Sequence, residues 1–123
     1  MIEAQIHVDI NKAFCELERL KQIRPKTYYF SYMPFGEKRD MRTAVQLKRK
    51  GVRGGFPDFI FIDFEKGHNY FFEVKTDTGK LSPDQITFFR GCEMNDNMFF
   101  FTIRSVDEFL KTLAFLNITH ITT

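Results

Sequence analysis

Gly54-Gly55-Phe56-Pro57-Asp58-Phe59-Ile60-Phe61-Ile62-Asp63-Phe64, followed shortly by Tyr70-Phe71-Phe72-Glu73-Val74-Lys75, decides how this chain folds. Phe59 to Phe64 and Tyr70 to Lys75 are short, dense apolar runs bounded by Gly, Pro and Asn, the pattern of neighbouring buried strands. Lys66-Gly67-His68-Asn69 between them predicts a turn, so the two strands form an antiparallel hairpin. Asp58 opens the first strand and Glu73 lies near the end of the second. On adjacent strands the two carboxylates converge on one cation, with Lys75 beside them. Period-two alternation puts Glu73 and Lys75 on one face and Val74 on the other. Hard divalent cations want oxygen ligands, and Mg²⁺ is often held by one or two carboxylates plus water and substrate phosphate. The Val74 backbone carbonyl offers one more oxygen. Lys75 carries positive charge and no acceptor, which suits it to orienting an attacking hydroxide or offsetting charge on phosphoryl oxygens. Together these residues outline a phosphodiester-cleaving site. The bland alternative is a pair of strand-end acids ion-paired with Arg53 or Lys75.

Outward from the hairpin, the order of elements becomes legible. Ile6, Ile10, Phe14, Leu17 and Leu20 recur at three and four residues, predicting a helix from Glu3 to Leu20. Glu3, one turn before Ile6, either favours the helix dipole or reaches into a site the helix packs against. Thr27 to Tyr32 predicts a strand, broken by Pro34 and Gly36. Asp40 to Lys50 reads as a short helix with Asp40 as N-cap and Val45 and Leu47 among its few apolar residues. Gly51, Gly54 and Gly55 then form a flexible approach to Pro57-Asp58. These glycines either let backbone come close to another chain or to a phosphate, or mark a plain loop. Ser82-Pro83-Asp84-Gln85 opens another helix with serine as N-cap and glutamine at the third position. Met98 to Ile103 predicts a strand, and Ser105 caps a final helix through Phe115 with Phe109, Leu110 and Leu113 inward. The expectation is an α/β fold: a mixed β-sheet flanked by helices, in the order α-β-(α)-β-β-α-β-α.

Composition narrows the function classes. A chain of 123 residues is expected to make one domain with a genuine core. Sixteen phenylalanines and no tryptophan point to an aromatic core or a subunit interface. The net charge of +2 does not announce a nucleic-acid binder, but its distribution is uneven. Lys38, Arg39, Arg42, Lys48, Arg49, Lys50 and Arg53 are opposed over their stretch only by Asp40. Such a run is either a solvated helix face or a surface that tracks phosphates. Cys15 and Cys92 match no metal or redox spacing, so free thiols are expected. With no leader pattern and no apolar run of spanning length, the expectation is a cytoplasmic protein without membrane contact. His7, one turn after Glu3, reads as a helix-face histidine rather than a ligand. His68, in a turn, and His120, near the end of the chain, carry no role.

The ordered set Gly54-Gly55-Phe56-Pro57-Asp58, Glu73-Val74-Lys75 and Gly79-Lys80-Leu81-Ser82-Pro83-Asp84-Gln85 resembles the VRR-NUC (virus-type replication-repair nuclease) domain. That family belongs to the PD-(D/E)xK, restriction-endonuclease-like superfamily, and the likeness runs from Glu3 to about Ile103. It implies one VRR-NUC nuclease domain over residues 1–123, of the stand-alone phage type. It implies a catalytic set of Asp58, Glu73 and Lys75, with Gln85 as an added family position. Gln85 has a competing role as the third residue of a capping box with Ser82. Asp58, Glu73, the Val74 carbonyl and Glu3, which matches the acidic residue of the family's first helix, would hold Mg²⁺, for which Mn²⁺ substitutes. Glu16 and Glu18 are poorer candidates than Glu3. Lys48, Arg49, Lys50 and Arg53 would contact backbone phosphates.

Stand-alone members are similar to archaeal Holliday-junction resolvases, whereas larger relatives carry the nuclease as one module. The likeness implies a structure-selective DNA endonuclease, foremost a Holliday-junction resolvase acting as a homodimer on branched double-stranded DNA. It would leave 5′-phosphate and 3′-hydroxyl ends, in the host cytoplasm if viral. Two alternatives stand beside it: a flap or nicking endonuclease on simpler DNA, and an inert DNA-binding subunit with the same fold.

Overall fold

The computed structural model describes residues 2–36 and 40–120. Lys38 and Arg39, from the basic stretch, lie outside the described residues. Four strands form one sheet in the order β1-β2-β3-β4: β1 Tyr28–Tyr32, β2 Phe59–Asp63, β3 His68–Val74 and β4 Met98–Ile103. β1 and β3 both run antiparallel to β2, whereas β4 is parallel to β3. The parallel pair needs a crossover, which α3 (Pro83–Glu93) supplies. The mixed sheet flanked by helices is the expected architecture.

Each face of the sheet has its own core. Along β3, Tyr70, Phe72 and Val74 point to one side, where they meet Ile6, Ile10 and Phe14 of α1 (Glu3–Arg19) and Phe109 and Leu113 of α4 (Val106–Phe115). Phe71 points to the other side, with Ile60, and meets Cys92, Phe88 and Phe56 under α3. Most of the phenylalanines are spent on these two layers. Phe14 stacks on Phe30 with ring centroids 3.9 Å apart, and Phe72 meets Phe109 edge-on at 5.2 Å. An edge-on pair of the Phe72–Phe109 kind adds roughly 0.5–1.5 kcal/mol beyond area burial.

Local chemistry fixes the ends of the elements. Asp40 caps α2 (Met41–Arg49) by accepting from the Thr43 N–H at 2.8 Å. Ser82 and Gln85 form a reciprocal capping box on α3, and Ser105 caps α4. α2 buries none of its residues, and Val45 remains 48% exposed. Three expectations shift. The apolar stripe of α1 stops at Leu17, because Leu20 is the C-cap and is half exposed. Phe64 falls outside β2 and faces solvent. The hairpin turn sits earlier than Lys66–Asn69, so His68 and Asn69 belong to β3. Its cause is Asp63, whose Oδ1 accepts from the N–H groups of Glu65 (2.9 Å) and Lys66 (3.1 Å), while Gly67 takes φ +69°. His68 then lies beside Tyr70, its Nδ1 3.1 Å from the phenolic oxygen. Cys15 and Cys92 are both free thiols, exposed and buried respectively.

Because Leu113 is fully buried where α4 meets the sheet, Leu113→Ala should cost about 2–5 kcal/mol in urea unfolding. Phe115→Ala, at a position 84% exposed on the same helix, should stay within about 0.5 kcal/mol.

Candidate active site

Strand register builds the site. In the β2–β3 ladder Phe59 faces Phe72, so one step further along sets Asp58 opposite Glu73. The Val74 N–H donates to Asp58 Oδ2 at 2.8 Å, pinning that carboxylate across the strand end. Glu73 is 3% exposed. Its Oε2 accepts from Gln85 Nε2 at 3.0 Å and lies 3.7 Å from Lys75 Nζ. Its Oε1 is buried with no hydrogen-bond partner among the described residues. An unpartnered carboxylate oxygen in such a place is costly unless a proton or a cation compensates it.

Gln85 does two jobs at once. Its Oε1 accepts from the Ser82 N–H at 2.8 Å to complete the capping box, and its Nε2 reaches Glu73. The competing roles read from the sequence are therefore compatible, since an amide has one end for each. Lys75 lies just past the end of β3, but its N–H still bonds the Ile103 carbonyl at 3.0 Å. The turn behind it is gripped by Arg104, whose guanidinium donates to the carbonyls of Thr76 and Gly79.

The glycines serve this arrangement from within the chain. A side chain at Gly55 would begin 2.6 Å from the Asp84 carbonyl oxygen, and one at Gly54 would begin 2.9 Å from Asp84 Oδ2. Gly55 also takes φ +92°. Within the chain, the close approach is to the first turn of α3.

A cavity of about 680 Å³ opens over the carboxylates, and Glu3, Asp58, Glu73, Lys75 and Gln85 all line it. Glu3 therefore belongs to the site region, whereas Glu16 pairs with Arg19 and Glu18 accepts from the Tyr28 hydroxyl. His7 lines the cavity too, with Nε2 3.4 Å from Asp58 Oδ2 and its ring 5.0 Å from that of Tyr32. The sequence reading left it on a helix face. The available signal was its four-residue spacing from Glu3, which puts both on one side of α1. The basic residues do not all meet. Lys50 and Arg53 line a second cavity of about 390 Å³, while Arg49 faces Met41 and Val45 on α2.

No group of three or more His, Cys, Asp or Glu side chains closes a metal site by itself among the described residues. Two facing carboxylates with an unpartnered oxygen nevertheless fit a hard divalent cation whose remaining positions go to water and phosphate. Electrostatics agrees. Burial first, and then the neighbouring Asp58 carboxylate, push the Glu73 carboxyl from 4.5 up to about 8. Glu3 adds to the rise, and Lys75 works against it.

A carboxyl raised on folding stabilises the fold fully below its unfolded value, and that contribution fades as pH climbs through the folded value. In EDTA, stability measured by urea unfolding should therefore decline between about pH 4.5 and pH 8. Glu73→Gln should flatten that decline and be the more stable protein at pH 8.

The solved structure of a VRR_NUC domain protein superposes with a TM-score of 0.62 at 16% identity, covering 93% of this chain and 86% of that one. At that identity the likeness carries the fold alone. A search of curated proteins gives no match. The model of the VRR-NUC domain family matches residues 4–107, a span that takes in every residue of the site except Glu3. The chain thus belongs to the VRR-NUC family of restriction-endonuclease-like nucleases.

Proposed function

We propose that the chain is a Mg²⁺-dependent, structure-selective DNA endonuclease, and specifically a Holliday-junction resolvase that works as a homodimer on branched double-stranded DNA. The observation that carries the hydrolytic part is the facing pair Asp58 and Glu73, with one buried oxygen unpartnered and Lys75 Nζ 3.7 Å away. Asp58 and Glu73 would hold the cation, with Glu3 and the Val74 carbonyl as further oxygen donors. When bound, Mg²⁺ (or Mn²⁺) supplies Lewis acidity to the phosphodiester and lowers the pKa of water.

The chain's own residues do the rest. The Val74 N–H fixes Asp58, and the Gln85 amide fixes one oxygen of Glu73 so that the other stays free. Lys75 offsets charge building on the phosphoryl oxygens and orients the attacking water. Attack of water at phosphorus breaks the bond to the 3′ oxygen, which takes up a proton and leaves as the 3′-hydroxyl, while the phosphate stays on the 5′ oxygen of the downstream nucleotide. Lys48, Arg49, Lys50 and Arg53, all exposed, contact backbone phosphates and bring affinity with little sequence preference.

The junction and homodimer assignments are supported by the family's likeness to resolvases and by symmetry. Paired incision needs two equivalent sites, and a twofold dimer provides them most economically. Residues 1–123 then act as one nuclease domain. No helix among the described residues is long and apolar enough to cross a membrane.

An immobile four-way junction, a flap, a duplex and a single strand, each with and without Mg²⁺, distinguish the readings. Symmetric Mg²⁺-dependent cuts across the junction are expected. Cutting of flaps or nicks alone would replace the resolvase assignment, and tight binding without any cutting would point to an inert DNA-binding subunit. Glu73→Gln should abolish cutting while junction binding persists. Arg49→Ala combined with Lys50→Ala should weaken binding and lower the slope of log affinity against log salt by about 2. An unchanged slope would move the phosphate surface elsewhere.

A further inference from the structure

The cavity over Asp58 and Glu73, about 680 Å³, is larger than a scissile phosphate needs, and part of its lining is aromatic. Tyr32, Phe35 and Phe56 line it. Phe35 is 46% exposed, in the short 3₁₀ turn Pro34–Gly36 (η1). Phe56 meets it edge-on, with ring centroids 5.7 Å apart and planes at 86°. Phe56 is itself rooted in the core, edge-on to Phe71 at 5.9 Å and to Phe88 at 5.3 Å. A half-exposed aromatic ring thus stands on a fixed support. Phe35 and Phe56 also line the second cavity, the one shared with Lys50 and Arg53. Exposed Phe64 and Phe115 line neither.

This order of chemistry (acidic pair, aromatic face, basic loop) matches one strand of nucleic acid: a phosphate over the carboxylates, a base on the ring, the next phosphate at the basic loop. Resting on the hydrolytic reading of the neighbouring carboxylates, we propose that Phe35, buttressed by Phe56, is a stacking shelf for one unpaired nucleobase flanking the scissile phosphate. In a continuous duplex the faces of each base are covered by its neighbours. Only a base already loosened at a branch, gap or end offers its face at small cost. Stacking on an aromatic side chain is tolerant of base identity. The shelf therefore selects for branching without selecting for sequence. It also supplies a physical source of structure selectivity within one copy of the chain.

The chain contains no tryptophan, so F35W introduces a single tryptophan at the shelf, which can be excited selectively beside the four tyrosines. With Ca²⁺ in place of Mg²⁺ to keep DNA uncut, its emission should be quenched on binding a four-way junction or a single-stranded oligothymidylate. F35A should weaken binding of both by about 5- to 150-fold, the range a single base stack is worth, and leave paired duplex nearly unaffected. F35Y should restore the affinity. An abasic site in place of the flanking nucleotide should erase the difference between F35A and the parent. If F35A does not fold, F35L, which keeps the bulk and loses the ring, takes its place. Unquenched F35W together with parental junction affinity in F35A would overturn the shelf. Cleavage by the parent protein, followed in parallel with Mg²⁺, separates the two readings. Quenching without cutting upholds the shelf and removes the hydrolytic assignment, whereas cutting with no effect of F35A on junction binding does the reverse.

Discussion

Two acidic side chains held face to face at the apolar end of a hairpin are the constraint from which the rest of the molecule can be understood. The register of β2 on β3 leaves no choice: with Phe59 opposite Phe72, Asp58 must stand opposite Glu73. Shifting either strand by one residue would exchange its two faces, each fitted to a different core, so the hydrophobic layers enforce the juxtaposition. Glu73 is almost wholly buried, and the Asp58 carboxylate beside it adds repulsion. Its carboxyl accordingly rises to about 8. The fold thus holds two carboxyl groups together at a cost that a bound divalent cation would relieve.

Around this pair, structural devices and site devices are the same atoms. The capping box that starts α3 turns the other end of Gln85 toward Glu73. The backbone N–H that ends β3 at Val74 steadies Asp58. Gly54 and Gly55 let the loop before β2 lie directly on the first turn of α3. Arg104, just after β4, grips the turn that follows Lys75. Each device ties the site to the packed sheet, so its side chains are held by packed elements rather than by loops alone.

Much of this was legible in the residues because local signals agreed with one another. Phe59–Ile62 and Tyr70–Phe72 could only be buried strands, and the brief connection between them forced the antiparallel pairing. The serine caps at Ser82 and Ser105 and the aspartate cap at Asp40 marked three helix starts. Asp58, Glu73, Lys75, Gln85 and Glu3 all line one cavity. What escaped notice depended on through-space contacts. His7 lines the cavity because the start of α1 lies beside the carboxylates, and its four-residue spacing from Glu3 was the one sequence signal for it. Nothing in the sequence separated Phe35 and Phe56, which line the same cavity, from the other phenylalanines. The purpose of Gly54 and Gly55 required knowing that Asp84 sits against them. The hairpin turn moved because Asp63, taken for an ordinary strand residue, folds back onto the N–H groups of Glu65 and Lys66.

The central claim is that Asp58 and Glu73 share one divalent cation. Crystals of the protein soaked in Mn²⁺ and measured at the manganese absorption edge test it most directly. The account predicts a strong anomalous peak between the two carboxylates, lost in a Glu73→Gln crystal treated alike. A map with no peak there, or with Mn²⁺ bound only elsewhere and the two side chains turned apart, would contradict it.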